Sequence, residues 1–337
     1  MRRALVTGAT GLVGSHIVEA LIADGGWEIR ALVRAPQDDL RAMGVETFVG
    51  DVLDAAQFAS AAVGCDVVFH TAAAITQRGG WDLYRGLNVD GTMNAIAAAE
   101  RSGARLLQLS SVAVYGPTGR YRAANQKTDE DTPLGPLPAG AYYARSKRES
   151  EQLVIDAHRA GRIWASAVRP DVIYGRRDRQ FVPRIARILR FGVAPLVGGG
   201  GTTLPIVHAA NVAAGSILAA TSDGAGGRSY NLANDFDVTV RDFVLLAAEG
   251  LGSRVRLVPI PLALARGVFK IVKGAGRLVT GGGASVVSTA SLSLVTRDNP
   301  FTSERARGEL GWRPVVRPEA SIPDAFRWWR ERGLGVD

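Results

Sequence analysis

Short apolar runs alternate with longer amphipathic stretches through the first half of the chain. Ala4-Leu5-Val6, Trp27–Val33, Val45–Val49, Asp66–His70, Arg105–Leu109 and Ile163–Val168 read as strands. Helical patterns lie between them. One carries Ile17, Val18, Leu21 and Ile22, a long one runs from Trp81 to Ser102, and one opens at Ala141 and continues to about His158. Strands and helices in strict alternation predict an α/β fold with a parallel, doubly wound sheet. In such a sheet the site lies at the carboxyl ends of the strands. Beyond residue 170 the alternation fades. Arg179–Phe191 reads as a basic amphipathic helix, Val197–Thr203 is glycine-rich, Leu204–His208 and Ser229–Leu232 read as strands, and Asn211–Ala220 as a helix. This irregular half predicts a smaller C-terminal lobe.

The first strand breaks into Thr7-Gly8-Ala9-Thr10-Gly11-Leu12-Val13-Gly14 and then into a helix. Three glycines spaced three apart suit a tight turn, close backbone approach and close helix packing. The positive end of the helix suits a pyrophosphate. Because the corner follows a strand and opens a helix, it predicts a dinucleotide site, and residues 1–175 a dinucleotide-binding domain. Residues 176–337 then form mainly a substrate-binding lobe, with some segments returning to the sheet. Arg34 ends the second strand, where a guanidinium suits a 2′-phosphate and favours NADP(H), NAD(H) remaining possible. Asp51, in Gly50-Asp51-Val52, is placed either to accept from the adenine amino group or to cap a helix starting near Leu53. Thr71-Ala72-Ala73-Ala74 are small residues beside which a cofactor fits. His70 reads as a strand-end residue, with no second ligand at metal spacing.

Composition narrows the classes. The chain has 337 residues, 47% of them hydrophobic, and one cysteine, Cys65. No apolar run is long enough to cross a bilayer, Arg2 and Arg3 lead straight into a strand, and a cysteine cluster is excluded. A cytoplasmic protein without metal is expected. The net charge of +8 is spread arginine rather than a localised basic patch, so nucleic acid is not expected as a partner. Leu262–Leu278 is apolar with scattered cations and reads as a packed lobe helix, a lid or a peripheral lipid contact.

Tyr143 and Lys147 lie four apart on one helix and share a face. Ser111 stands at the end of the fifth strand. These residue types form a proton-transfer device for a carbonyl or an alcohol. A free tyrosine has a pKa near 10. A nearby ammonium and the positive nicotinamide are expected to lower it, favouring the phenolate. Ser111 orients the substrate oxygen, and Lys147 also suits the nicotinamide ribose. The rival Tyr142, five residues from Lys147, points off the shared face.

TGATGLVG at 7–14, GDV at 50–52, HTAA at 70–73, NVDGT at 88–92, LSSVAVYG at 109–116, YARSK at 143–147 and RPDVIYG at 169–175 together resemble the extended short-chain dehydrogenases/reductases, also called the NAD-dependent epimerase/dehydratase family. The resemblance covers nearly the whole chain. It implies a Rossmann-type doubly wound parallel sheet with a smaller C-terminal substrate lobe, and Ser111, Tyr143 and Lys147 as the catalytic triad. It implies cofactor contacts from Gly8, Thr10, Gly11, Leu12, Val13, Gly14, Arg34, Asp51, Val52, Thr71, Ala72, Ala73, Tyr143, Lys147, Pro170 and Val172. Ala74, Val112, Arg176 and His208 are candidate substrate residues. IRALVRAP at 29–36 resembles dihydroflavonol reductase-like enzymes. DRQFVPRIARILRFG at 178–192, PIVHAANVAAG at 205–215 and ERARGELGWRP at 304–314 resemble the 3β-hydroxysteroid dehydrogenase type. Where relatives often carry Asp, this chain has Asn211, read as a cap. The resemblance implies an oxidoreductase for a secondary alcohol or ketone on an apolar or polycyclic small molecule. The alternatives are a nucleotide-sugar epimerase or dehydratase, with Arg176, Arg184 and Arg187 as diphosphate candidates, and a non-catalytic dinucleotide sensor. It also implies a homodimer built from helices 81–102 and 142–160.

Overall fold

A computed structural model describes residues 1–75, 79–117, 126–265 and 296–332. The chain forms two compact units. The first comprises Met1–Ile173, Val207–Asp235 and Phe301–Val316, and the second Tyr174–Ile206, Phe236–Pro300 and Arg317–Asp337.

The first unit is a seven-stranded sheet. Its strands include β1 (Arg2–Thr7), β2 (Trp27–Val33), β3 (Glu46–Val49), β4 (Val67–His70), β5 (Arg105–Leu109) and β6 (Ala165–Pro170). The order is Ser229–Leu232, β6, β5, β4, β1, β2, β3, and every pairing is parallel. Ala4, Leu5, Val6 and Thr7 of β1 are all buried, as a central strand covered on both faces requires. Side chains alternate between faces. Val6 joins Ile17, Leu21, Phe69, Val212 and Trp312 on one side, while Leu5 joins Phe58, Ala95, Leu106 and Val154 on the other. The chain builds outward from β1 to β3 and then crosses back to β4. A crevice therefore opens at the carboxyl ends of β1 and β4, where the strand order reverses.

The helices of this unit include α1 (Leu12–Asp24), α2 (Asp38–Ala42), α3 (Ala55–Ala62), α4 (Trp81–Tyr84), α5 (Gly91–Ser102) and α6 (Tyr142–Arg159). The region 81–102 is thus not one regular helix. A π segment, Arg85–Asp90, separates α4 from α5. Strand β6 runs two residues further than the apolar run predicts, because Arg169 and Pro170 pair with Asn231 and Leu232.

The second unit packs helices Phe181–Leu189, Val240–Leu251 and Pro318–Glu331 with a parallel pair of strands, Val193–Val197 and Arg256–Ile260. Phe243 anchors it, meeting the rings of Tyr174, Phe181 and Phe326 at 5.5–6.3 Å. Gly250 permits the helix crossing, since a Cβ there would lie 2.3 Å from the Pro323 carbonyl oxygen. Of the apolar stretch 262–278, only 262–265 falls within the described residues. Among the described residues, no helix is long and apolar enough to cross a membrane.

Candidate active site

The glycine corner is shaped by missing side chains. Gly8 has φ +68°, and a Cβ there would lie 2.8 Å from Thr71 Oγ1 and 2.9 Å from the Ala72 nitrogen. A Cβ on Gly14 would lie 2.2 Å from the Gly8 carbonyl oxygen. Gly11 precedes α1 without any side-chain cap, and the first turn holds no acidic residue. The helix's leading N–H groups are therefore left for an anion. Thr10 and Gly11 are exposed, Leu12 is half-buried and Val13 is buried. This bare, sterically emptied corner fits the pyrophosphate of NAD(P).

Thr7 ties the two strand ends that flank the crevice. Its hydroxyl oxygen accepts from the Thr71 and Ala72 nitrogens at 3.2 Å each, and its carbonyl accepts from Thr71 Oγ1 at 2.7 Å. With two donors already on the oxygen, the hydroxyl proton goes to His70 Nδ1, 2.9 Å away. Burial, helped by the charge of Lys147, holds the His70 imidazole down to about 3. His70 is a neutral strand-end residue. Thr71, Ala72 and Ala73 line the crevice half-buried, and Ala74 is buried.

On the far side of β1, Arg34 is exposed just past β2. Asp51 Oδ1 accepts from the Leu53 nitrogen at 2.9 Å. It is not the helix cap: α3 starts at Ala55, and Asp54 accepts from the Ala56 and Gln57 nitrogens. Val52 is buried beside it.

Ser111, Tyr143 and Lys147 come together at the ends of β5 and α6. Ser111 follows β5 and caps the short 3-10 turn Val112–Tyr115, accepting from the Ala113 nitrogen at 3.2 Å. Val112 is buried behind it. The Ser111 side chain lies near enough to the half-buried Tyr143 phenol to pull its pKa down against burial. Lys147 is buried, and its Nζ donates to the Leu109 carbonyl at 2.7 Å. Burial lowers the Lys147 ammonium to about 8, with Glu151 pulling the other way.

In this structure the Tyr143 phenol is shifted upward. Burial raises its pKa and Tyr84 raises it further; the opposing pull comes from Ser111. The Lys147 ammonium is engaged with Leu109 instead.

Two supports were not read from the sequence. Asn88 lies in the π segment, and its Oδ1 accepts from the Ala74 nitrogen at 2.6 Å. Its Nδ2 donates to the Ala74 carbonyl at 3.1 Å and to Ser146 Oγ at 2.9 Å. Ser146 then donates to the Tyr143 carbonyl at 2.9 Å. One amide thus ties the loop after β4 to the tyrosine helix. Its only sequence signal is the NVDGT motif. The second support is Arg169, whose Nε donates to Glu151 Oε1 at 3.0 Å and whose Nη1 donates to the Tyr115 hydroxyl at 2.8 Å. Tyr115 donates onward to Asn231 Oδ1 and Ser229 Oγ to Glu151. The buried network fixes the end of β6 at Pro170, with Val172 just beyond.

His208 is buried and caps the helix Ala209–Thr221, accepting from the Ala210 nitrogen at 3.1 Å. Its ring meets His16 edge-on at 5.5 Å. Asn211 is therefore not the cap. It is a buried clamp that accepts from the Val315 and Val316 nitrogens and donates to Asp235 at 2.7 Å. Arg176, in the second unit, holds Asp324 through two contacts of 2.7 Å; Arg184 and Arg187 are exposed. Among the described residues, no three His, Cys, Asp or Glu side chains converge on a metal-sized site.

The NAD dependent epimerase/dehydratase family matches residues 4–233. The 4-hydroxy-2-methyl-3-oxo-4-farnesyl-3,4-dihydroquinoline-1-oxide ketoreductase of Stigmatella aurantiaca is 30% identical over 336 residues, covering 99% of this chain and 98% of that protein. The 3 beta-hydroxysteroid dehydrogenase/Delta 5-->4-isomerase of Mycobacterium tuberculosis is 28% identical over 341 residues, covering 97% of this chain and 90% of that one. The crystal structure of gox2253 matches with a TM-score of 0.76 at 27% identity, covering 99% of each chain. The chain belongs to the NAD-dependent epimerase/dehydratase family, the extended short-chain dehydrogenases/reductases. It is an NAD(P)-dependent oxidoreductase that works by hydride transfer.

Proposed function

We propose that this enzyme interconverts a ketone and a secondary alcohol on an apolar or polycyclic small molecule, with Tyr143 as the acid/base. The convergence of Ser111, at the end of β5, with the helix that carries Tyr143 and buried Lys147, whose Nζ donates to the Leu109 carbonyl of that same strand, carries this reading. The nicotinamide, when bound, exchanges a hydride with the substrate carbon. Tyr143 gives its proton to the carbonyl oxygen in reduction and takes it back in oxidation, while Ser111 holds that oxygen by a hydrogen bond. Lys147 holds the nicotinamide ribose, and its charge acts on the phenol only through that assembled site. Gly8, Thr10, Gly11, Leu12, Val13 and Gly14 cradle the pyrophosphate by backbone. Asp51 and Val52 face the adenine. Thr71, Ala72, Ala73, Pro170 and Val172 border the rest of the cofactor, and Ala74 and Val112 border the substrate.

Arg34, exposed at the end of β2, favours NADP over NAD by gripping the 2′-phosphate. The relatives that reduce or oxidise a farnesylated quinoline oxide and a steroid support a bulky apolar substrate here. The enzyme works as a homodimer in the cytoplasm. The decisive experiment follows NADPH and NADH oxidation against a panel of bicyclic ketones, steroid ketones and nucleotide sugars. Net cofactor oxidation with the polycyclic ketones, and loss of it in Tyr143→Phe with NADPH binding retained, is the expected result. Turnover of nucleotide sugars with no net cofactor change overturns it.

A further inference from the structure

Two adjacent tyrosines open α6, and residues one apart on a helix point about 100° from each other. The structure gives each ring its own neighbour. Tyr84, the last residue of α4, is buried, and its ring stands edge-on to Tyr143 at 6.3 Å and 64°. Tyr142 lies on the outer side, 6.5 Å from Tyr84 and 6.3 Å from Trp81. The Arg145 guanidinium covers the Trp81 ring at 3.9 Å. Tyr84 is thus wedged between the two candidates and borders both.

We propose that Tyr84 is a positioning residue for the reaction: its ring is the wall that holds the Tyr143 ring against Ser111 and keeps Tyr142 outside. The proposal rests on Tyr143 as the acid/base. A tyrosine ring has two soft torsions, and the backbone tie from Asn88 through Ser146 fixes only the Cα end of Tyr143. An edge-to-face neighbour fixes the other end, because aromatic pairs favour this arrangement over a stacked sandwich. The π segment starts directly after Tyr84. Such insertions change which residues share a helix face, and they recur at functional sites. Here one short stretch supplies both the ring wall and the amide tie.

The test uses the full-length enzyme, NADPH and the best-reduced ketone of the panel above. Tyr84→Ala is expected to lower kcat about tenfold or more, as a small misplacement of a reacting group does. Its NADPH affinity, read by fluorescence, stays within about twofold, since Tyr84 borders only the tyrosine end of the site. Tyr84→Phe keeps the ring and rescues kcat to within about threefold. If Tyr84→Ala keeps kcat within threefold, or Tyr84→Phe loses tenfold or more of kcat, the proposal fails; the second outcome decides even where the alanine variant does not fold. Parallel loss of kcat and NADPH binding in both variants marks general damage and also overturns it. Tyr143→Phe separates the two levels. An active Tyr143→Phe sinks the acid/base reading, whereas an inactive one beside a normal Tyr84→Ala sinks this inference alone.

Discussion

The glycine corner and the tyrosine helix, both in the first unit, are built on opposite plans. The corner works by leaving things out: no Cβ at Gly8 or Gly14, no side-chain cap at Gly11, no charge in the first turn. The tyrosine end works by adding ties. Lys147 reaches β5, Asn88 reaches both Ala74 and Ser146, and Glu151 holds Arg169. Backbone N–H groups need only room to meet an anion. A side chain that moves a proton has to be held in place by its neighbours. The two regions should therefore break differently, the corner by gaining atoms and the helix by losing them.

The largest effect expected is from Tyr143→Phe, which deletes one oxygen. Turnover should fall about a thousandfold, in line with the loss of a general acid/base, with NADPH affinity nearly unchanged. Steady-state kinetics beside fluorescence titration checks this. Gly14→Ala is the converse. Its Cβ would meet the Gly8 carbonyl at 2.2 Å, so the corner must shift. Cofactor affinity should weaken about a hundredfold by the energy of overpacking a tight site. A comparable loss of kcat with unaltered affinity would erase the contrast between the regions.

A subtler break separates the chemistry of Lys147 from its burial. Its folded value near 8 lies below the ordinary 10.5. Between those values the unfolded chain binds a proton that the folded chain does not, so wild-type stability rises with pH across that window. Below about pH 8 both states are protonated and the burial penalty is fully present. Lys147→Met removes the titration, and its stability relative to wild type should decline by roughly 3 kcal/mol from pH 8 to 10.5. Urea unfolding of both proteins at several pH values measures it. The smallest effect is at the exposed rim: Arg34→Glu should shift the NADPH/NADH preference about tenfold toward NADH, by loss of charge-assisted contacts. An unchanged ratio of kcat/KM values would remove Arg34 from cofactor selection.

What the sequence made legible was local. Gly8, Gly11 and Gly14 lie within one turn of chain, and Tyr143 and Lys147 within one turn of helix, so spacing alone relates them. The supports depend on distant partners. Asn88 meets Ser146 across 58 residues, and Tyr115 meets Asn231 across 116. No window of sequence displays such pairs. Capping is hard to read for a related reason: Asp51 and Asn211 have the right side chains, but Asp54 and His208 stand at the actual helix starts. In the second unit, strands Val193–Val197 and Arg256–Ile260 carry little local signal. Each is five residues long and contains a proline, and each has its partner some sixty residues away.

The route of the backbone through the first unit has a consequence for biosynthesis. Strand β6 acquires its outer neighbour only when Ser229–Leu232 emerges, and Phe301–Val316 completes the same unit later still. Until then a nascent chain presents an open parallel edge rich in alanine and valine, the kind of surface that recruits other strands. A chain truncated after residue 173 would keep every proposed triad residue and still be expected to precipitate, because the edge it needs covered is encoded downstream.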